Sequence, residues 1–204
     1  MKTSVVKIDP KRPDKEAILS AARSVREGAL VAFPTETVYG IAANYLDKKA
    51  IEALYKVKKR PKTKPFTIHI SDIDMIKSLG CSMTKEGLML IKRFWPGPLT
   101  VILKSEDGET LGFRMPANRI AMELIKSAGV PIAAPSANLT GNKAPRNVGE
   151  VLQDLDGRVA LVIDGGDTEI GIESTVVDLT VNPPKVLREG AIKKEEIYKV
   201  ISNL

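Results

Sequence analysis

The chain carries one cysteine and one histidine in 204 residues. Cys81 has no partner for an internal disulfide, so a reducing cytoplasm is the expected compartment. Cys81 and His69 together fall short of the nitrogen and sulfur set of a structural zinc site, which excludes a protein zinc centre. Aromatic residues make up only 4%, too few for a broad base-stacking platform. Apolar runs stop far short of the roughly 20 residues that cross a bilayer. The opening MKTSVVKIDP has no apolar stretch of the secretory kind. There is no G-x-x-x-x-G-K-[ST], no G-x-G-x-x-G opening a helix and no G-x-S-x-G. Walker-type, dinucleotide and hydrolase-elbow sites are therefore not expected, and a Ser-His-Asp triad would have to use His69.

What is present is an ordinary globular profile, 43% hydrophobic and 27% charged. A net charge of +6 favours anionic partners such as nucleotides or RNA without specifying a fold. The basic residues are unevenly placed: six of the nine residues 56–64, KVKKRPKTK, are Lys or Arg. Such a run can be a solvated face, a nucleic-acid patch or a wall that holds phosphates.

Apolar β-type runs alternate with helical patterns along the chain. Asp14 caps a helix with Ile18, Ala21, Ala22 and Val25 on one stripe, and Gly28 ends it. ALVAF reads as a strand, followed by an irregular PTETVYG. A second helix over about 47–58 carries Ile51, Leu54 and Tyr55 on one face, and Pro61 and Pro65 bracket a loop. FTIHI, TVILK, LGFRM, VPIAA, RVALVID, STVVDL and KVLRE read as strands. TKEGLMLIKRF, NRIAMELIKSAG, NVGEVLQDLDG and KKEEIYKVISN read as helices, the third with an Asn-x-x-Glu capping-box pattern. Cys81 and the Met-rich MTKEGLML read as core. The alternation predicts a single α/β domain around one mixed, twisted sheet.

In such sheets ligands gather where strands end and loops diverge. Thr35, Glu36, Thr37 and Tyr39 leave one buried strand, either as a self-satisfied turn or as a site. Ser136, Asn138, Thr140, Asn142 and Arg146 leave another. Arg114 lies in an apolar strand, where an arginine usually has an anionic partner. Ser174 and Thr175 open a strand behind the glycines of DGGDTEIG. His69 sits on FTIHI, as a core histidine or as a ligand-facing one.

Taken together, these stretches resemble the YrdC family, the threonylcarbamoyl-AMP synthases. The marks, in order, are FPTETVYGIAA, the K-x-R of KKRP (Lys58 and Arg60), FWPGPLTVIL, FRMP, the S-x-N of APSANLTG (Ser136 and Asn138), ESTVVD and LREG. Each alone is weak, but the ordered set from about Ala17 to Gly190 is specific. The resemblance implies a twisted mixed β-sheet flanked by helices around a large basic cavity, the YrdC/RibB-like architecture. It implies the short form, one domain over 1–204 without a second C-terminal domain. The implied reaction condenses L-threonine, bicarbonate or CO2, and ATP into threonylcarbamoyl-AMP and pyrophosphate. A partner transferase complex then passes the carbamoyl group to tRNA next to the anticodon.

By motif position, Lys58 and Arg60 would clamp phosphates and carbamate, with Ser136 and Asn138 completing the catalytic set. Thr35, His69, Arg114, Ser136 and Ser174 would hold threonine, with Arg114 pairing bidentately with its carboxylate. ATP would meet Lys58, Arg60, Lys64, Thr110, Asn138, Arg146 and Arg188. Lys64 stands where the family pattern has an asparagine before the proline. Mg2+ is expected on ATP oxygens and water rather than on protein ligands. Two other readings stay open: a non-catalytic RNA-binding or ribosome-maturation protein, double-stranded RNA included, that uses the basic cavity, and a carbamoyltransferase with another acceptor. The acylphosphatase and zinc-finger segments that accompany the related hydrogenase-maturation domain have no counterpart in this sequence.

Overall fold

A computed structural model describes residues 2–202. Helix α1 (Lys15–Arg26) starts where extended Asp14 accepts the Ala17 N–H at 3.0 Å, as capping chemistry requires. It stops at Gly28, whose φ of +92° a side chain would strain. Helix α2 (Lys48–Lys58) is capped by Asp47 and ends on Lys59 at φ +50°. The remaining helices are α3 (Asp74–Ser78), α4 (Lys85–Phe94), α5 (Arg119–Ala128), α6 (Val148–Leu155) and α7 (Lys194–Ile201). The strands are β1 (Ser4–Lys7), β2 (Val31–Phe33), β3 (Gly40–Asn44), β4 (Thr67–His69), β5 (Leu99–Lys104), β6 (Thr110–Arg114), β7 (Ile132–Ala133), β8 (Leu161–Asp164), β9 (Thr175–Asp178) and β10 (Lys185–Arg188).

All ten strands form one mixed sheet in the order β1-β8-β2-β3-β7-β4-β6-β5-β9-β10. The single mixed sheet flanked by helices is thus as expected, but three elements escaped the pattern reading. β1 and the short α3 are brief segments with little periodicity. β3 is buried at all five positions, so it shows no inside–outside alternation to betray it. The capping box at α6 is also displaced. Asn147 accepts the Glu150 N–H at 3.0 Å, but the Glu150 carboxylate returns to the Arg146 N–H at 2.7 Å rather than to Asn147.

Strand alternation then decides where a site can form. In β2, Val31 and Phe33 pack toward α1 and α5, while Ala32 packs toward α2 and α6, so this half of the sheet is covered on both faces. In the other half, Ile68, Leu99, Val101, Leu103, Phe113 and Val177 all point to one core with α3, α4 and α7. The alternate residues Thr67, Thr100, Ile102, Gly112 and Val176 line a groove on the opposite face. One face of half the sheet therefore carries no covering helix and forms the wall of a groove.

The C-terminal strands are locked by Thr175. Its hydroxyl donates to the Ile192 carbonyl at 2.6 Å and accepts the Gly190 and Ile192 N–H groups at 2.9 and 3.0 Å. A side chain on Gly190 would collide with the backbone of Glu173 and Ser174, which explains the glycine of LREG. Thr175→Val keeps the shape but strips three buried backbone partners. Denaturant titration should show a stability loss of about 1–3 kcal/mol at unchanged slope; an unshifted midpoint would refute the lock.

Candidate active site

A cleft of about 570 Å³ opens where the covered and uncovered halves of the sheet meet. Its floor comes from parallel β4 and β6, whose register sets His69 beside Arg114. Thr35 enters from the β2–β3 turn, Ser136 from the loop after β7, Arg60 from the exit of α2, and Ser174 and Arg188 from β9 and β10. Seven of the residues expected on motif grounds are thus brought to one cleft from seven separate chain segments. Tyr39, a candidate of the same turn, also lines it, and so do Phe66 and Glu173, which were not expected there as site residues.

The β2–β3 turn is preorganised by its own hydroxyls. Thr35 Oγ1 accepts the Thr37 and Val38 N–H groups, both at 3.2 Å, and donates to the Val38 carbonyl at 2.7 Å. This is the self-satisfied turn and the cleft wall at once. Across from it, the Ile170 and Gly171 N–H groups donate to the Glu36 and Thr37 carbonyls at 2.9 and 2.8 Å. The Tyr39 hydroxyl closes the same loop on the Gly166 carbonyl at 2.7 Å.

Arg114 is almost wholly buried, with Nη2 2.7 Å from Glu36 Oε1 and Nε donating to the Gly97 carbonyl at 3.3 Å. The Glu36 contact is a short, single-point ion pair. Burial lowers the Arg114 pKa from its ordinary value, and Glu36 opposes that shift. The bidentate partner expected for a bound carboxylate is thus in part supplied internally, and Nη1 is the terminal nitrogen that these contacts leave over. His69 is buried, stands edge-on to the Phe33 ring at 6.1 Å, and has no partner for Nδ1. Burial, and then the Arg114 charge, hold its pKa well below 6.5, so the imidazole is neutral. A satisfied core histidine it is not.

Arg188 donates from Nε and Nη2 to the Ser174 carbonyl at 3.1 and 2.9 Å, and its Nη1 meets Glu173 at 3.0 Å. Ser174 in turn shares its hydroxyl with Thr100 at 2.8 Å. Arg60 folds back on its own loop, donating to the Lys64 and Pro65 carbonyls at 2.9 and 3.1 Å, with its guanidinium 5.4 Å over the Phe66 ring. The cleft therefore presents three arginines balanced in part by two glutamates, a less uniformly basic lining than the resemblance implies.

Five expected residues do not line this cleft. Lys58 is 2% exposed and spends its three protons on the Ser136 and Asn138 carbonyls, at 2.6 and 2.7 Å, and on Asn138 Oδ1 at 3.3 Å. Burial, then the Arg60 charge, pull its pKa down to about 8. Asn138 completes the knot by donating to the Asn142 carbonyl at 2.6 Å. Both were expected on phosphates; here they hold the loop that presents Ser136, and a buried ammonium needs that many acceptors. Lys64 is exposed and offers its backbone carbonyl, not its side chain, to Arg60. Thr110 lies on the adjoining groove that shares Arg60, Phe66, Thr67 and Arg188 with the cleft. Arg146 is exposed and lies over Gly171, outside the cleft. Glu36, weighed as a turn residue or a site residue but given no role, had a readable signal: an acidic residue leaving a buried strand, with a strand arginine elsewhere needing a counter-ion.

An α/β sheet with one face left open, walled by hydroxyls and guanidiniums at strand ends, defines a protein built to hold a polar, anionic ligand. The family model described as Telomere recombination, Sua5_yciO_yrdC, matches residues 23–190, and the chain belongs to this Sua5/YciO/YrdC family. Among its relatives, the threonylcarbamoyl-AMP synthase of Pyrococcus abyssi is 45% identical over 202 residues, covering 95% of this chain and 59% of that protein. The threonylcarbamoyl-AMP synthase of Bacillus subtilis is 44% identical over 194 residues, covering 90% of this chain and 56% of that one. The crystal structure of P. abyssi Sua5 complexed with L-threonine superposes with a TM-score of 0.94 at 44% identity, covering 99% of this chain and 62% of that structure. The chain thus spans less than two thirds of the length of these relatives.

Two outcomes follow from the site's charges. The unfolded chain binds a proton on His69 below pH 6.5 that the folded chain cannot accept. Stability should therefore fall as pH drops from 7 to 5, by at most about 1.4 kcal/mol per unit from this group. His69→Gln should flatten that part of the profile, and an identical slope in the variant would contradict a neutral buried imidazole. Separately, ligand-free Lys58→Met should unfold with about 1–3 kcal/mol less stability, because two loop carbonyls lose their donor. Undiminished stability would show that the ammonium does not hold the loop.

Proposed function

We propose that this chain is an L-threonylcarbamoyladenylate synthase, a nucleotidyltransferase acting on L-threonine, bicarbonate or CO2, and ATP. The observation that carries the reading is one cleft of two characters. Its inner end offers Thr35, Ser136, Ser174, neutral His69 and the free edge of Arg114, a set suited to a small hydroxylated amino acid. Its mouth offers Arg60 and Arg188 and continues into an open groove beside Thr110 and Phe66. The relatives' names and the threonine-complexed relative support the same assignment. They do not favour a non-catalytic RNA-binding protein.

In this reading the threonine ammonium first gives a proton to water; the free amine then attacks the carbon of CO2 and sheds a second proton to water, giving a carbamate. A carbamate oxygen then attacks the α-phosphorus of ATP, and pyrophosphate leaves in line. Both reactants are anionic, so their approach must be offset by fixed positive charge; Arg60 and Arg188 supply it at the mouth. Holding the reactants together is worth roughly 7–11 kcal/mol in well-oriented systems. Lys58 and Asn138 act through the loop that presents Ser136. Mg2+ enters with ATP, on phosphate oxygens and water. Glu173 in the cleft and Glu36 behind its wall are each paired with an arginine. Transfer of the carbamoyl group to tRNA would fall to a partner transferase, in the cytoplasm; no helix of the described residues is long and apolar enough to cross a membrane.

Purified protein should release pyrophosphate from ATP only when L-threonine and bicarbonate are both present. Arg60→Ala and Ser136→Ala should each lower that rate by about 100-fold or more while circular dichroism stays unchanged. Release that ignores threonine would overturn the reading, and near-normal rates in both variants would overturn the site.

A further inference from the structure

Behind the cleft wall stands a carboxylate that does not itself line the cleft. The Glu36 side chain is 4% exposed and touches Arg114 at one point, 2.7 Å from Nη2. Arginine and carboxylate pairs that serve only as anchors favour a two-pronged fork with aligned hydrogen bonds. Here the contact is single, one Glu36 oxygen on Nη2, and Nε is taken by the Gly97 carbonyl. The guanidinium is gripped along one edge, which leaves Nη1 for the cleft that Arg114 lines. Glu36 cannot follow Arg114 outward, because its own carbonyl is held by the Ile170 N–H at 2.9 Å and that of Thr37 by the Gly171 N–H at 2.8 Å.

The charges in front of this pair are also specified. His69, next to Arg114 in register, is neutral, and Arg188 is paired with Glu173. Arg60 stands at the mouth with its guanidinium turned to its own loop. The inner end is thus close to electroneutral, lined by hydroxyl and carbonyl oxygens. A plain anion gains little there, since Glu36 opposes it almost as strongly as Arg114 attracts it. A ligand with a carboxylate and an ammonium meets a complementary dipole.

We propose that Glu36 is a positioning and specificity-determining residue, which holds Arg114 by one edge and cancels its charge so that the inner subsite takes a zwitterionic amino acid and rejects a simple anion. The inference rests on the synthase reading, which supplies threonine as that amino acid. Calorimetry without ATP tests it, using L-threonine, 2,3-dihydroxybutyrate (threonine with a hydroxyl for its amine) and inorganic phosphate. In Glu36→Gln the preference for threonine over dihydroxybutyrate should fall about ten-fold or more, and phosphate should begin to compete with threonine. Glu36→Asp keeps the charge and should keep the preference while both ligands weaken.

An unchanged preference in Glu36→Gln, or an equal collapse in Glu36→Asp, overturns the proposal. Should Glu36→Gln fail to fold, the wild-type protein decides. Dihydroxybutyrate binding as tightly as threonine, or phosphate displacing threonine at equal concentration, overturns it. Clear discrimination against both supports it. Wild-type protein that binds no threonine at all overturns the synthase reading itself, an outcome distinct from the others.

Discussion

A guanidinium shut away from water stays charged only if a counter-charge is shut away with it, and the Arg114–Glu36 contact meets that demand. The pair ties β6 to the turn after β2, two segments that are not neighbours in the sheet. Everything on the inner cleft wall then follows. The turn must come close enough for Glu36 to reach Arg114, which brings Thr35 over the floor. The turn's carbonyls must be satisfied there, which recruits the 170–171 N–H groups and fixes the far wall. Breaking the pair would leave a lone buried charge, so the wall stands or fails with it.

A second buried charge organises the opposite wall by different means. Lys58 has no carboxylate against it; carbonyl dipoles from the 136–138 loop surround its ammonium instead. Dipoles solvate a cation without cancelling it, so the loop beside Ser136 keeps a positive field that the Arg114 side does not. Burial and Arg60 both press Lys58 toward its neutral form, and an anion near Ser136 would oppose them. The two walls thus differ in kind, one neutralised by a carboxylate and one still positive.

The sheet, most helices and their caps were legible because each rests on local chemistry. Asp14 and Asp47 cap where their short oxygens reach the next turn, and alternating residues in TVILK and LGFRM declare their faces. β3 was not legible, since a strand buried on both faces carries no alternation. Nor was the division of labour in the site. Motif order brings Thr35, Arg60, His69, Arg114, Ser136, Ser174 and Arg188 to one place, but not the direction each side chain takes. Glu36 pairs with Arg114 across a large sequence separation, and only the closing of the sheet reveals it. His69 was readable as a strand residue facing away from Ile68, while its missing Nδ1 partner depends on what β2 places opposite it.

The spacing of Lys58 and Arg60 shows how much depends on one backbone residue. On a continuing helix, residues two apart point to different sides and could not serve one site. Lys59 interrupts the helix at φ +50°, the one non-glycine residue among those described in the left-handed region. That conformation costs a lysine roughly 1–2 kcal/mol relative to the right-handed one. In return the chain turns at once: Lys58 keeps its helical direction into the 136–138 loop, while Arg60 swings round to the cleft and the Phe66 ring. The basic run therefore holds three kinds of residue. Lys56, Lys59, Lys62 and Lys64 are solvent-facing, Lys58 is a buried strut, and Arg60 is the cation the cleft receives. A glycine at position 59 would relieve the strain but free the turn, so the lysine there trades stability for a fixed angle between strut and cation.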